Sequence, residues 1–253
     1  MSVTTKKLLA HIDEVLVPEA FADYCPNGLQ VQGAETIKKL VVGVTASQLL
    51  IDRAIAVGAD ALLVHHGYFW KGENPCITGM KQRRIRALLD NNINLLAYHL
   101  PLDAHADFGN NTQLARRLGL ICSGGLEPAN PRSVGNIGRL AEPMRAKDFC
   151  AHVAAVLGRE PVLIEAGDHK IATIGWCTGG AQGYIEQASA MGVDAYLSGE
   201  ISEPTVHSAR ELGVHYIAAG HHATERYGVQ ALGEYLAQVF DLEYQFIDCD
   251  CPA

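Results

Sequence analysis

Three places in this 253-residue chain bring imidazole and carboxylate groups close together in sequence. His65 and His66 are adjacent and follow the apolar run Ala61 to Val64; His99 precedes Asp103 by four positions; His221 precedes Glu225 by the same interval, with His222 beside it. On a helix, residues i and i+4 share a face, so His221 and Glu225 can close on one cation. Neighbours on a strand point to opposite faces, so His65 and His66 reach one site only where the strand is already turning, which Gly67 permits. Each pattern alone also has a structural reading: a hydrogen-bonded strand-end histidine, a helix-capping Glu225, a turn or N-cap Asp103. Three of these imidazoles with the two carboxylates are too few donors to close two four-coordinate sites. They suit two divalent ions that share a bridging carboxylate and keep open positions, as hydrolytic centres do. Nitrogen and carboxylate donors without thiolate fit iron, zinc, manganese or nickel and disfavour copper(I) and calcium.

The elements that must position these groups alternate. "KKLVVGVTAS", "ADALLVHH" and "INLLAYH" read as strands; "SQLLIDRAIAVG", with Ser47 as N-cap and Gly58 as stop, and "MKQRRIRALLDNN" read as helices. Residues 4 to 16 read as an amphipathic helix. Continuous apolar strands alternating with amphipathic helices mean an α/β fold with mostly parallel sheets buried on both faces, whose functional groups gather at strand ends. The stretch "KLVVGVTASQLLIDRAIAVGADALLVHHG" resembles "KIATIGWCTGGAQGYIEQASAMGVDAYLSGE", and "INLLAYHLPLD" resembles "VHYIAAGHHATE". This is the pattern of a duplication, pairing His99 with His221, Asp103 with Glu225 and His66 with Glu200. The expected division is a first α/β lobe over 1–122, a Gly- and Pro-rich connector with short strands over 123–147 and a second α/β lobe over 148–253, with the site between the lobes.

Composition narrows the partners. The formal net charge is -8 and the hydrophobic content 48%, which gives a sizeable core and an acidic surface opposed to loose nucleic-acid binding. The basic run Lys81 to Arg86 reads as a solvated helix face. Seven cysteines without a CxxC pair read as small buried hydrophobes in a reducing compartment. The N-terminal segment is broken by His11, Asp13 and Glu14, unlike a signal peptide, and no run approaches the roughly 18 apolar residues of a membrane span. The expectation is a soluble cytoplasmic protein with no membrane partner.

"LLVHHGYFWKG", "YHLPLDAH" and "GHHATERYG", in this order, with "CPNGLQVQG" near the N-terminus, closely resemble the NGG-interacting-factor-three family, whose bacterial members are often labelled GTP cyclohydrolase type 2 homologues. The resemblance spans nearly the whole chain. It implies two intertwined, duplicated α/β lobes, a di-metal centre and a toroidal homohexamer. It also implies a ligand set of His65, His66, Asp103, His221 and Glu225, with Glu225 bridging the ions. His99 and His222 then stand beside the ligands, where an imidazole orients a ligand or moves a proton, and Glu200 is a further lining candidate.

Two functions follow. One is a metal-dependent hydrolase acting on a small molecule, either a nucleotide-like substrate of the GTP cyclohydrolase type or a phosphoester. The other is a non-enzymatic metal-binding scaffold or adaptor ring. No Gly-x4-Gly-Lys-Ser/Thr loop is present. Tyr68, Phe69, Trp70 and Lys71 either stack on a base and meet a phosphate or pack as an aromatic loop at a subunit contact.

Overall fold

The structure is a computed structural model that describes residues 1–253. It opens with strand β1 (Val3–Thr4) and helix α1 (Thr5–Leu16). Thr4 accepts a hydrogen bond from the Lys7 N–H and so caps α1. Leu8, Ile12 and Leu16 form its buried face at helical spacing. Strands β2 (Gly28–Val31), β3 (Thr36–Ile37) and β4 (Lys39–Thr45) follow, then α2 (Gln48–Ala56), β5 (Ala61–His66), α3 (Gly79–Asp90), β6 (Asn94–Ala97) and the short α4 (Leu100–Ala104). Helix α5 (Asn110–Leu118) leads to β7 (Ile121–Gly125), β8 (Asn136–Met144), α6 (Ala146–Leu157) and β9 (Val162–Ile164). The alternation resumes with β10 (Ile171–Cys177), α7 (Ile185–Ala190), β11 (Ala195–Ser198), α8 (Glu203–Leu212), β12 (His215–Ala218) and the one-turn α9 (His221–Thr224). Helix α10 (Arg226–Phe240) and β13 (Glu243–Phe246) complete the order. No helix is long and apolar enough to cross a membrane.

The chain forms two compact units, and it enters each of them twice. The first holds Met1–Leu102 and Gly228–Asp250; the second holds Asp103–Tyr227 and Cys251–Ala253. This differs from the division read from the sequence. Most of α10 and all of β13 belong to the first unit, because β13 pairs parallel with β4, Tyr244 opposite Leu40. Residues 123–147, expected to be a connector with short strands, do hold strands. They carry most of β7 and all of β8, and β8 lies antiparallel against β10 with Gly138 opposite Ile174. Half-exposed residues, Gly138 and Pro143 hide that strand from a periodicity reading.

The first unit has a five-stranded sheet in the order β13-β4-β5-β6-β2, parallel except for β2 at its edge. The second has a six-stranded sheet, β7-β8-β10-β11-β12-β9, parallel at β10-β11-β12 and antiparallel around them. Residues of the second unit's central strands alternate between two apolar clusters. Ile174, Trp176, Leu197 and Ile217 lie in one; Cys177, Tyr196, Tyr216 and Ala218 lie in the other. Helices thus cover both faces, which explains the unbroken apolar runs.

The duplication is visible in the ladders. Leu40 faces Ala61 and Ala61 faces Asn94 in the first unit, as Ile174 faces Ala195 and Ala195 faces His215 in the second. Both triplets end on an antiparallel edge strand, β2 or β9. In this register His66 matches Glu200, as expected, but His99 matches Gly220 and Asp103 matches Thr224. The expected pairing of His99 with His221 is off by one residue. The polar residues that open β6 and β12 match in role. Asn94 accepts from the Gly33 N–H at 2.8 Å and donates to the Ala34 carbonyl at 2.8 Å. His215 accepts from the Ala166 N–H at 3.1 Å and donates to the His169 carbonyl at 3.0 Å. Both are fully buried and tie a neighbouring loop to the sheet.

Candidate metal centre

In the first unit, His65 and His66 end β5, and His99 follows β6, which lies beside it. The three rings lie close together, with centroids 4.5 Å apart for His65 and His66, 5.0 Å for His65 and His99, and 5.8 Å for His66 and His99. One ring nitrogen from each falls within 4.8 Å of the others, a grouping that can hold a metal ion. His65 is fully buried, and its Nδ1 stands 3.0 Å from the Tyr98 carbonyl. A carbonyl only accepts, so Nδ1 carries the proton and the Nε2 lone pair is the donor. His66 Nδ1 lies 3.1 Å from Thr45 Oγ1.

Sequence reasoning missed Asp23, which fixes His99. Its Oδ1 is 2.7 Å from His99 Nδ1 and accepts the Tyr24 N–H at 2.6 Å; its Oδ2 accepts from Asn27 Nδ2 and the Leu100 N–H, each at 2.9 Å. Asn27 Oδ1 in turn accepts the His99 N–H at 2.8 Å. Burial pushes the Asp23 carboxyl up, but the His99 and Asn27 bonds outweigh it and hold the group down at about 2. Asp23 is far from His99 in sequence, and no local spacing marks it. Cys25 also lies near this pair. Burial and the Asp23 charge push its thiol up to about 12, so it offers no thiolate at neutral pH.

In the second unit, Asp103 sits in α4 and Glu225 at the junction of α9 and α10. Both carboxylates are buried, at 5% and 3% exposure, and an oxygen of one lies within 4.8 Å of an oxygen of the other. Asp103 Oδ1 accepts from Asn110 Nδ2 at 2.8 Å and from Thr178 Oγ1 at 3.4 Å. His221 lies between two acids: Nδ1 is 2.7 Å from Glu200 Oε1, and Nε2 is 3.1 Å from Glu225 Oε2. Burial lowers its affinity for a proton, but Glu225 and then Glu200 raise it further, to about 9. The i,i+4 geometry expected of His221 and Glu225 is therefore realised. Glu200 acts on the imidazole rather than alone. His222 shares α9, where its backbone N–H donates to the Ala253 carbonyl at 3.3 Å.

The β10 turn makes room for this arrangement. Gly179 has φ +67, and a Cβ there would strike the Glu225 carboxylate and come within 3.2 Å of His221 Nε2. The nearby Cys177 thiol is pushed well above its usual range by burial and by the charges of Asp103 and Glu225. The donors of this unit are thus nitrogen and oxygen, and they fit a hard or borderline divalent cation.

Comparison with known proteins identifies the family. The family model described as Duf34/NIF3 (NGG1p interacting factor 3) matches residues 3–252. A Pseudomonas aeruginosa protein called "GTP cyclohydrolase 1 type 2 homolog" is 61% identical over 253 residues, covering all of both chains. A solved structure described as protein ybgI, of unknown function, superimposes with a TM-score of 0.95 at 50% identity, over 99% of this chain and 100% of that one. TTHA1606 from Thermus thermophilus superimposes with a TM-score of 0.89 at 32% identity, over 99% and 100%.

Proposed function

Because the chain belongs to the Duf34/NIF3 family, we propose that it is a metal-dependent hydrolase with two divalent ions, held by His65, His66, Asp103, His221 and Glu225. Glu225 would be the carboxylate shared between the two ions. The observation that carries this reading is the pair of buried carboxylates, Asp103 and Glu225, with oxygens within 4.8 Å of each other. Two like charges that close in a protein interior call for a cation or a shared proton. The Nε2 of His221 beside Glu225, once an ion displaced its proton, and the fixed tautomer of His65 would supply the nitrogen donors that borderline metals take.

Such ions supply a hydroxide-strength nucleophile at neutral pH and polarise a carbonyl, C=N or phosphoryl group. The chain's own groups do the rest. Glu200 accepts from Nδ1 of His221, which turns Nε2 toward Glu225 and raises its basicity. Thr178 and Asn110 donate to Asp103 and fix its orientation. Asp23 accepts from Nδ1 of His99, which leaves His99 Nε2 to take or return a proton. Two substrate types fit this chemistry: a nucleotide-like molecule opened at a C=N bond, and a phosphoester. The protein works in the cytoplasm as a homohexameric ring.

The test is an assay of metal-loaded protein against nucleotides, cyclic amidines and phosphodiesters, with Glu225→Gln as control. Metal-dependent turnover of one class, lost in Glu225→Gln, is the expected result. No turnover that responds to the substitution, together with an assembly that falls apart on chelation, would identify a metal-held scaffold instead.

A further inference from the structure

We propose that Trp70, together with Tyr24, forms a stacking wall that receives a planar heteroaromatic ring, a nucleobase-type group, beside the imidazoles of His66 and His99. The inference rests on the site proposed above and chooses between its two substrate types. The Trp70 ring is half-buried, with its centroid 5.0 Å from that of His99 and 5.9 Å from that of His66. Tyr24 has its centroid 6.2 Å from that of His99, yet it is 58% exposed. Two large aromatic rings thus remain incompletely buried beside the histidines.

The loop that holds Trp70 is built rather than slack. Phe69 has φ +66, a conformation that a bulky side chain adopts only where its surroundings enforce it. Lys81 Nζ lies 4.9 Å from the centroid of the Phe69 ring and 2.9 Å from Glu73 Oε1. Glu73 Oε2 accepts the Trp70 N–H at 3.0 Å, and the Lys71 N–H donates to the Tyr24 carbonyl at 2.6 Å. The indole Nε1–H is already committed to the Gly67 carbonyl at 3.2 Å. What the indole has left to offer is its π-face, and a π-face selects a flat conjugated ring whatever its hydrogen-bonding pattern.

The experiment uses the metal-loaded full chain and three probes: GMP, CMP and ribose 5-phosphate, which lacks the base. The other tryptophan, Trp176, is fully buried in the second unit's core, so a change in indole fluorescence reports on Trp70. GMP and CMP are expected to quench the emission and to bind at least about tenfold more tightly than ribose 5-phosphate, as base stacking requires. Calorimetric titration should show Trp70→Leu losing about tenfold in affinity for both nucleotides, with Trp70→Phe keeping most of it. Ribose 5-phosphate binding as tightly as GMP, or no binding of either nucleotide, overturns the inference. So does unchanged nucleotide affinity in Trp70→Leu, including the case where only the assembled mass shifts in sedimentation, which would mark Trp70 as a subunit contact. Tyr24→Leu, at an exposed position, repeats the test should Trp70→Leu fold poorly by circular dichroism. Binding is read without turnover. Nucleotide bound through Trp70 but never hydrolysed defeats the hydrolase reading alone, and turnover unaffected by Trp70→Leu defeats this inference alone.

Discussion

Asp60 and Asp194 occupy the same position in the two units and accept the same bonds. Asp60 Oδ2 accepts from the Lys38 and Lys39 N–H groups at 2.7 and 2.9 Å; Asp194 Oδ2 accepts from the Ala172 and Thr173 N–H groups at 2.9 and 2.7 Å. Each carboxylate precedes one parallel strand and satisfies the donors at the start of the strand beside it. Asp60→Ala and Asp194→Ala should each cost about 1–3 kcal/mol, because strand N–H groups lose a charged acceptor. Urea denaturation checks this. Asp194→Ala should cost the more, since it also strands the Thr173 hydroxyl, which donates to the same oxygen at 2.8 Å.

Gly179→Ala should be more damaging than its size suggests. The left-handed backbone disfavours any Cβ, and this one would fall on the Glu225 carboxylate. We expect a loss of at least about 1 kcal/mol in stability. Metal content by plasma emission spectroscopy should fall with it, because Glu225 must move to admit the methyl group. Full metal occupancy in a folded Gly179→Ala protein would contradict the arrangement described.

Acid stability should carry the signature of Asp23. Its carboxyl is held at about 2 in the folded protein, below the ordinary value of 3.8. A lowered carboxyl contributes stability that is present above the unfolded value and is lost as pH falls through the folded one. The window is therefore about pH 4 down to about pH 2, and the contribution is about 2 kcal/mol. Asp23→Asn should flatten that part of the stability curve, as measured by denaturant titration at stepped pH.

Metal binding should stabilise the wild type and leave the Asp103→Asn variant unchanged. A divalent ion at a hundredfold excess over its dissociation constant adds about 2.7 kcal/mol, which for this chain length is a rise in melting temperature of about 5–10 °C. Asp103→Asn removes one of two close buried carboxylates. Without metal it should be as stable as wild type or more so, and it should lose the metal-induced rise. Differential scanning calorimetry with and without chelator measures both.

The parts of the fold legible in sequence are those whose residues are buried on both faces. Strands β4, β5 and β6 and their counterparts β10 to β12 read as unbroken apolar runs, and Ser47 and Gly58 mark the ends of α2 as expected. The two matched stretches share Gly-x-Asp-Ala at Gly58–Ala61 and Gly192–Ala195, and the structure supplies its cause in the bonds of Asp60 and Asp194. What escaped was long-range. Asp23 meets His99 across a fold that no spacing encodes. The half-exposed β8 has no clean alternation. The return of α10 and β13 to the first unit leaves no mark in local pattern, because a strand carries no sign of which neighbour it will join. His99 was misaligned with His221 because identical residues drew the comparison one step away from the ladder register.

The place of β13 beside β4 has a consequence for how the chain leaves the ribosome. Leu40, Val41 and Val42, all fully buried in the finished molecule, lie on a strand whose outer neighbour is synthesised only after the entire second unit. Until then β4 is an open, apolar border of the nascent sheet, the kind of border that recruits strands from other chains. A product stopped before Glu243 should therefore be handled by chaperones or precipitate, even though both sets of histidines have already been made.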